Sequence, residues 1–165
     1  MSPRYYLLAG MLALAIAACQ SDKKEIAAEK ANLETTLPGT WETIYMKVKS
    51  PTFEKSDSTS VFEASEEYWE ARFGVKPYRT YFSEDKKFHT VYRGLNGTLI
   101  SEVSGIWNAF GDTLMMVEPK ATSQYKVLAE KGRAHFSAVM DWDGDGEEDD
   151  EVYFIYRLIS KSSKE

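Results

Sequence analysis

The segment FHTVYRGLNGTLISEVSGIWNAFGDTLMMVE, residues 88 to 118, holds three runs rich in β-branched and aromatic residues, broken at Asn96-Gly97 and at Gly111-Asp112. Such pairs supply the backbone angles of tight hairpin turns. Phe88 to Arg93, Thr98 to Phe110 and Thr113 to Glu118 are therefore expected as consecutive antiparallel strands. In the first run Phe88, Thr90 and Tyr92 fall opposite His89, Val91 and Arg93, the period of two that a strand imposes on its side chains.

The same rhythm extends in both directions. Further strands are expected at Thr40 to Lys49, Tyr78 to Ser83, Ser123 to Glu130, Ala134 to Asp141 and Glu151 to Ser160, eight in all. In the last, Val152, Phe154 and Tyr156 oppose Tyr153, Ile155 and Arg157. Turn chemistry recurs at Glu84-Asp85-Lys86-Lys87, Pro119, Lys131-Gly132 and Asp143-Gly144-Asp145-Gly146. Connections this short make neighbours in sequence neighbours in the sheet, and closing such a meander hides its edges. The expected fold is all-β, an antiparallel up-and-down barrel of eight strands. One short helix interrupts it within the first inter-strand insertion. Ser65 stands as N-cap before Glu66-Glu67, Gly74 supplies the stop, and Tyr68, Trp69, Arg72 and Phe73 share a face. That insertion, Ser50 to Pro77, is too long for a turn; it is either a lid across an open end of the barrel or a surface loop.

The N-terminus reads differently. Arg4 precedes the apolar run Leu7 to Ala18, which stops at Cys19 and gives way to Gln20, Ser21, Asp22, Lys23 and Lys24. This is the order of parts in an export signal, and the run is shorter than the ~20 apolar residues of a stable spanning helix. Ile16-Ala17-Ala18-Cys19 resembles the lipobox of bacterial lipoproteins. The resemblance implies removal of a signal peptide over residues 1–18 and lipid attachment at Cys19, whose acyl chains anchor the protein to a membrane. Gln20 after that cysteine implies the outer membrane, on its periplasmic face or at the cell surface. Cys19 is the single cysteine, so no disulfide forms within the chain. Residues 19–36, Ala-, Glu- and Lys-rich from Lys23 onward, are expected as a tether or a short solvated helix, and 37–165 as the barrel domain.

Net charge is −6 over 165 residues, and −7 from Cys19 onward. Eight acids lie within residues 141–151, so the remainder of the exported chain is nearly neutral. No basic stripe is present of the kind that phosphate contacts need, which argues against nucleic acid as a partner.

At Leu37-Pro38-Gly39-Thr40-Trp41-Glu42 the chain is similar to the opening strand of lipocalin-like domains, in which a Gly-x-Trp closes the barrel floor. Tyr81-Phe82, Gly105-Ile106-Trp107 and Gly111-Asp112-Thr113-Leu114 continue that likeness to the small lipocalin-like lipoproteins of Gram-negative bacteria, over Leu37 to about Ser160. The resemblance implies the barrel more strongly than it implies ligand carriage, because one fold hosts many functions. The chain departs from lipocalins in lacking a disulfide and in its early helical insertion.

Two features carry chemistry. Asp141, Asp143, Asp145 and Asp149 stand at loop positions 1, 3, 5 and 9, with Gly146 at 6, as in calcium loops that converge six to eight oxygens on one ion. Position 12 is Val152 where a bidentate acid is expected, with Glu151 or Asp150 as its substitute, and strands flank the loop, so it is either a calcium-stabilised hairpin tip or a solvated acidic turn. Aromatic residues are frequent, and Trp41, Tyr45, Tyr81, Tyr92, Trp107, Tyr125 and Phe136 are expected either to fill the barrel or to line a cup for an apolar small molecule. His89 and His135 lack metal-ligand spacing, and Ser101, Ser104 and Ser137 lack a nucleophile setting. The expected function is non-catalytic binding of a small hydrophobic ligand by a membrane-anchored barrel. The alternative is a filled barrel, calcium-stabilised or not, that contacts another envelope protein.

Overall fold

A computed structural model describes residues 32–161. The signal peptide, Cys19 and most of the expected tether lie outside the described residues.

Among the described residues, nine strands form one antiparallel sheet: β1 (Gly39–Ser50), β2 (Ser60–Ser65), β3 (Arg79–Phe82), β4 (Lys87–Arg93), β5 (Leu99–Phe110), β6 (Thr113–Val117), β7 (Thr122–Glu130), β8 (Arg133–Met140) and β9 (Asp150–Ser160). Strands β3 to β9 follow one another as a meander, β1 pairs with β3, and β9 returns to β1 from Thr40↔Ser160 to Lys49↔Glu151. Eight strands thereby close into a barrel, as expected. The ninth, β2, lies inside the insertion. Strand β3 has four residues and pairs with β1 only over Gly39 to Glu42, which leaves the far half of β1 open on that edge. Ser60 to Ser65 pairs with Tyr45 to Ser50 there. Its half-buried sequence SVFEAS carries too little alternation to announce a strand, and it forms because β1 presents unpaired backbone groups.

Helix α2 (Glu66–Phe73) follows at once. Ser65 is its N-cap residue without a side-chain hydrogen bond, and Gly74 ends it at φ 66°, a left-handed angle that glycine adopts without strain. Trp69 alone of its aromatic residues is buried; Tyr68 turns to solvent, so the expected shared face narrows to Trp69, Arg72 and Phe73. The insertion is thus a strand and a helix built onto the barrel wall, with Trp69 directed inward among core residues.

A further element precedes the barrel. Helix α1 (Leu33–Thr36) is capped by Asn32, whose side chain accepts from the Glu34 amide at 2.9 Å. Leu33 and Leu37 are buried, and the Trp41 indole donates to the Leu37 carbonyl at 2.7 Å. Among the described residues, Asn32 to Leu37 thus pack against the barrel. With Phe82, Trp107 and Leu114 these residues form a solid layer at one end of the barrel. Lys86 lies over the Trp107 ring at 4.2 Å and pairs with Glu34 at 2.8 Å, tying α1 across that floor.

Candidate functional site

The other half of the barrel is hollow. A cavity of about 330 Å³ lies among the inward side chains of β1, β3, β4, β6, β7, β8 and β9, bounded also by α2 and by Trp142 of the loop between β8 and β9. Alternation supplies the wall: Thr90 and Tyr92 from β4, Tyr125 from β7, Phe136 from β8, and Phe154 and Tyr156 from β9 all point inward. Nine of its fifteen lining residues are aromatic. The rings meet edge to face or tilted, with Phe136 against Tyr156 at 4.5 Å and Tyr78 against Tyr92 at 5.3 Å, geometries in which ring edges and faces attract.

Polar groups are few and specific. The Tyr156 hydroxyl donates to that of Tyr78 at 3.3 Å, and the Thr80 and Thr90 hydroxyls lie 3.0 Å apart. Burial pushes the Tyr78 and Tyr156 phenols above the ordinary tyrosine range, so both stay neutral at physiological pH. Tyr92 and Tyr125 are also raised, first by burial and further by the negative charge of Glu118. Glu118, just beyond the end of β6, is the one charged side chain of the lining. The indole N–H of Trp69 is buried without an acceptor among the described residues.

Of the seven aromatic residues expected to line a cup, Tyr92, Tyr125 and Phe136 do so. Trp41 and Trp107 are buried in the solid floor instead, their indole N–H groups donating to the Leu37 and Ser83 carbonyls. Tyr45 and Tyr81 lie on the outer wall, a correction with two causes. A β-bulge between Thr43 and Tyr45 shifts the alternation of β1, so that Met46 points in and Tyr45 packs outside against Tyr153 at 6.0 Å. Tyr81 and Phe82 are adjacent and must face opposite ways. Phe82 takes the core against Trp107, and Tyr81 stacks on His89 outside. The two histidines stay apart, His89 beside Glu102 at 3.2 Å on β4 and His135 against the Tyr153 hydroxyl at 2.6 Å on β8.

The acidic loop is folded around its own amides. Asp141 accepts from Gly144 and Gly146, Asp143 from the Asp145 amide, and Asp150 from Trp142 and Asp143. Carboxylate oxygens of Asp141, Asp143 and Asp150 lie within 4.8 Å of one another. Asp145 and Asp149, named with Asp141 and Asp143 as calcium ligands from spacing, face elsewhere: Asp145 accepts from the Lys55 and Glu147 amides, and Asp149 from the Thr52 hydroxyl. They pin the loop that leads from β1 to β2. The buried Asp150, at the start of β9, takes their place in the cluster. Burial raises its carboxyl, and hydrogen bonds from Ser50 and from the Asp143 and Trp142 amides outweigh that, leaving it below the usual aspartate value.

Known families and curated proteins offer no match. No family model fits the chain, and none of the curated proteins matches its sequence. The geometry is thus the ground on which function is read. Sequence reading missed Trp69, Tyr78 and Glu118 as lining residues, whereas Asp150 was one of the two acids named as a substitute for the missing position-12 ligand. Trp69 left one signal, its place beside Phe73 on an amphipathic turn; the place of Glu118 at the cavity is set by the fold alone.

Proposed function

We propose that this protein is an envelope lipoprotein that carries a small ligand in its barrel without chemistry. The observation that supports carriage is the cavity of about 330 Å³ inside a closed barrel, within the size of known small-molecule pockets and lined mostly by rings with a few placed polar groups. A barrel filled by its own side chains, working through protein contacts, leaves that hollow unexplained. The anchor belongs to the same reading and rests on the lipobox-like Ile16-Ala17-Ala18-Cys19. Acyl chains on Cys19 hold the barrel at a membrane, with the outer membrane of a Gram-negative cell as its place.

Native mass spectrometry of the full chain, extracted with mild detergent from a Gram-negative host, tests both parts. The expected spectrum shows the acyl mass at Cys19 and a retained small molecule. A barrel of bare mass overturns carriage, and a chain that takes up no palmitate analogue, or still takes it up as Cys19→Ala, overturns the anchor.

Calcium in the loop of residues 141–151 is a second element of the proposal, supported by the convergence of Asp141, Asp143 and Asp150. Two carboxylates of the expected set and the substitute acid Asp150 meet, fewer than a complete calcium shell, so the affinity expected is weak. A melting temperature equal in excess calcium and in chelator defeats this element.

A further inference from the structure

We propose that the ligand of this cavity is a small organic cation, an amine or quaternary ammonium group attached to an apolar body, with Glu118 as its counter-charge. The inference rests on the carriage reading and names the class of molecule carried.

Three observations support it. The lining contains one charged side chain, Glu118, and no lysine, arginine or histidine. Among the described residues no basic group pairs with it. An anionic ligand such as a fatty acid therefore meets a like charge with no cation to offset it, whereas an ammonium group pairs with the half-buried Glu118. Second, the walls are mostly aromatic. Cations are attracted to the negative faces of Trp and Tyr, more strongly where water is excluded, and Trp69, Tyr92, Tyr125 and Trp142 all bound this space. The buried phenols of Tyr78 and Tyr156 remain neutral and compete for no charge.

The third observation lies at the rim. Trp142, which bounds the cavity while 47% exposed, belongs to the loop that concentrates eight acids within residues 141–151. The hydrogen bond from its amide to Asp150 ties this tryptophan to the acidic knot. A negative field at the edge of a pocket raises the local concentration of cations and speeds their entry, an effect that salt screens.

The test is a fluorescence titration of the full chain in detergent micelles, following the change in tryptophan emission, to which Trp69 and Trp142 at the cavity contribute, with phenethylamine, 2-phenylethanol and phenylacetate. They share a phenyl body and differ in charge. Phenethylamine is expected to bind about tenfold or more tighter than the neutral and anionic probes, the scale of one desolvated cation–π or ion-pair contact. Glu118→Gln is expected to abolish that preference and Glu118→Asp to keep most of it, with melting temperatures confirming that both variants are folded. Should Glu118→Gln fail to fold, loss of the preference in wild-type protein at high salt is the substitute readout. If 2-phenylethanol or phenylacetate binds as tightly as phenethylamine, the cation proposal falls and carriage stands. If none of the three gives a saturable response, the cation proposal falls as well, and the retained mass in native mass spectrometry decides carriage on its own.

Discussion

At Gly105, halfway along β5, a Cβ would meet the Val117 carbonyl oxygen at 2.2 Å and the Phe88 ring at 2.7 Å. Backbone cannot yield at that distance without shifting a strand, so Gly105→Ala is expected to lower stability by about 1–3 kcal/mol, as overpacking of a tight interior does. A urea midpoint unchanged from wild type would contradict this. Asp150 offers a second residue-level prediction, with its sign fixed by hydrogen bonds to the ionised form. A carboxyl held below its unfolded value contributes stability that is complete above about pH 4, the unfolded aspartate value. That contribution is lost as pH falls through the lower folded value. Acid unfolding of the wild type should thus show a component that Asp150→Asn lacks. Asp150→Ala should cost about 1–3 kcal/mol at neutral pH, because it strands the Trp142 and Asp143 amides.

Among the elements, α1 and the pair β2–α2 carry roles out of proportion to their length. Four residues of α1 cap the floor, and Leu33→Ala is expected to cost about 2–5 kcal/mol although it lies in a segment that composition assigns to a tether or a short solvated helix. Equal denaturation midpoints for Leu33→Ala and wild type would show that α1 is not part of the cooperative unit. Strand β2 and helix α2 occupy the edge of β1 that the short β3 leaves free, and Arg157 of β9 reaches both Glu66 at the start of α2 and Glu42 of β1 at 2.8 Å. These ion pairs are half-exposed, so Arg157→Ala should cost well under the typical buried-pair loss, about 0–1 kcal/mol per pair. The Arg72 guanidinium over Phe62 and the ring of Phe73 near it complete the seam between β2 and α2.

For the whole molecule, the solid floor and the hollow upper half divide the labour between holding the barrel shut and leaving space. Trp41, Phe82, Trp107 and Leu114 exclude solvent at one end, and the cavity begins where Thr80, Thr90 and the tyrosines replace them. A ligand that binds only the folded barrel raises its stability by mass action, about 2.7 kcal/mol at a free concentration a hundred times its dissociation constant. A saturating organic amine should therefore raise the melting temperature, and the shift should shrink as salt screens the acidic rim; a melting point that amines leave unmoved would contradict both statements.

What the chain determined by itself is whatever is written in neighbouring residues. Turn pairs such as Asn96-Gly97 and Lys131-Gly132, and alternation through Phe88 to Arg93 and Val152 to Arg157, are local, so the eight barrel strands and their order are legible in the sequence. Gly74 likewise ended its helix where an αL residue was needed. The tertiary structure alone decided which aromatic residues face the cavity, because a single bulge before Tyr45 reverses the sides of β1 and leaves no mark in composition. It also decided that Ser60 to Ser65 becomes a strand, since the vacancy it fills is created by β3, and that Asp150 rather than Asp145 or Asp149 joins Asp141 and Asp143. Glu118 and Trp69 meet at one cavity only when the sheet closes, a long-range event whose geometry depends on register and shear summed over all the strands.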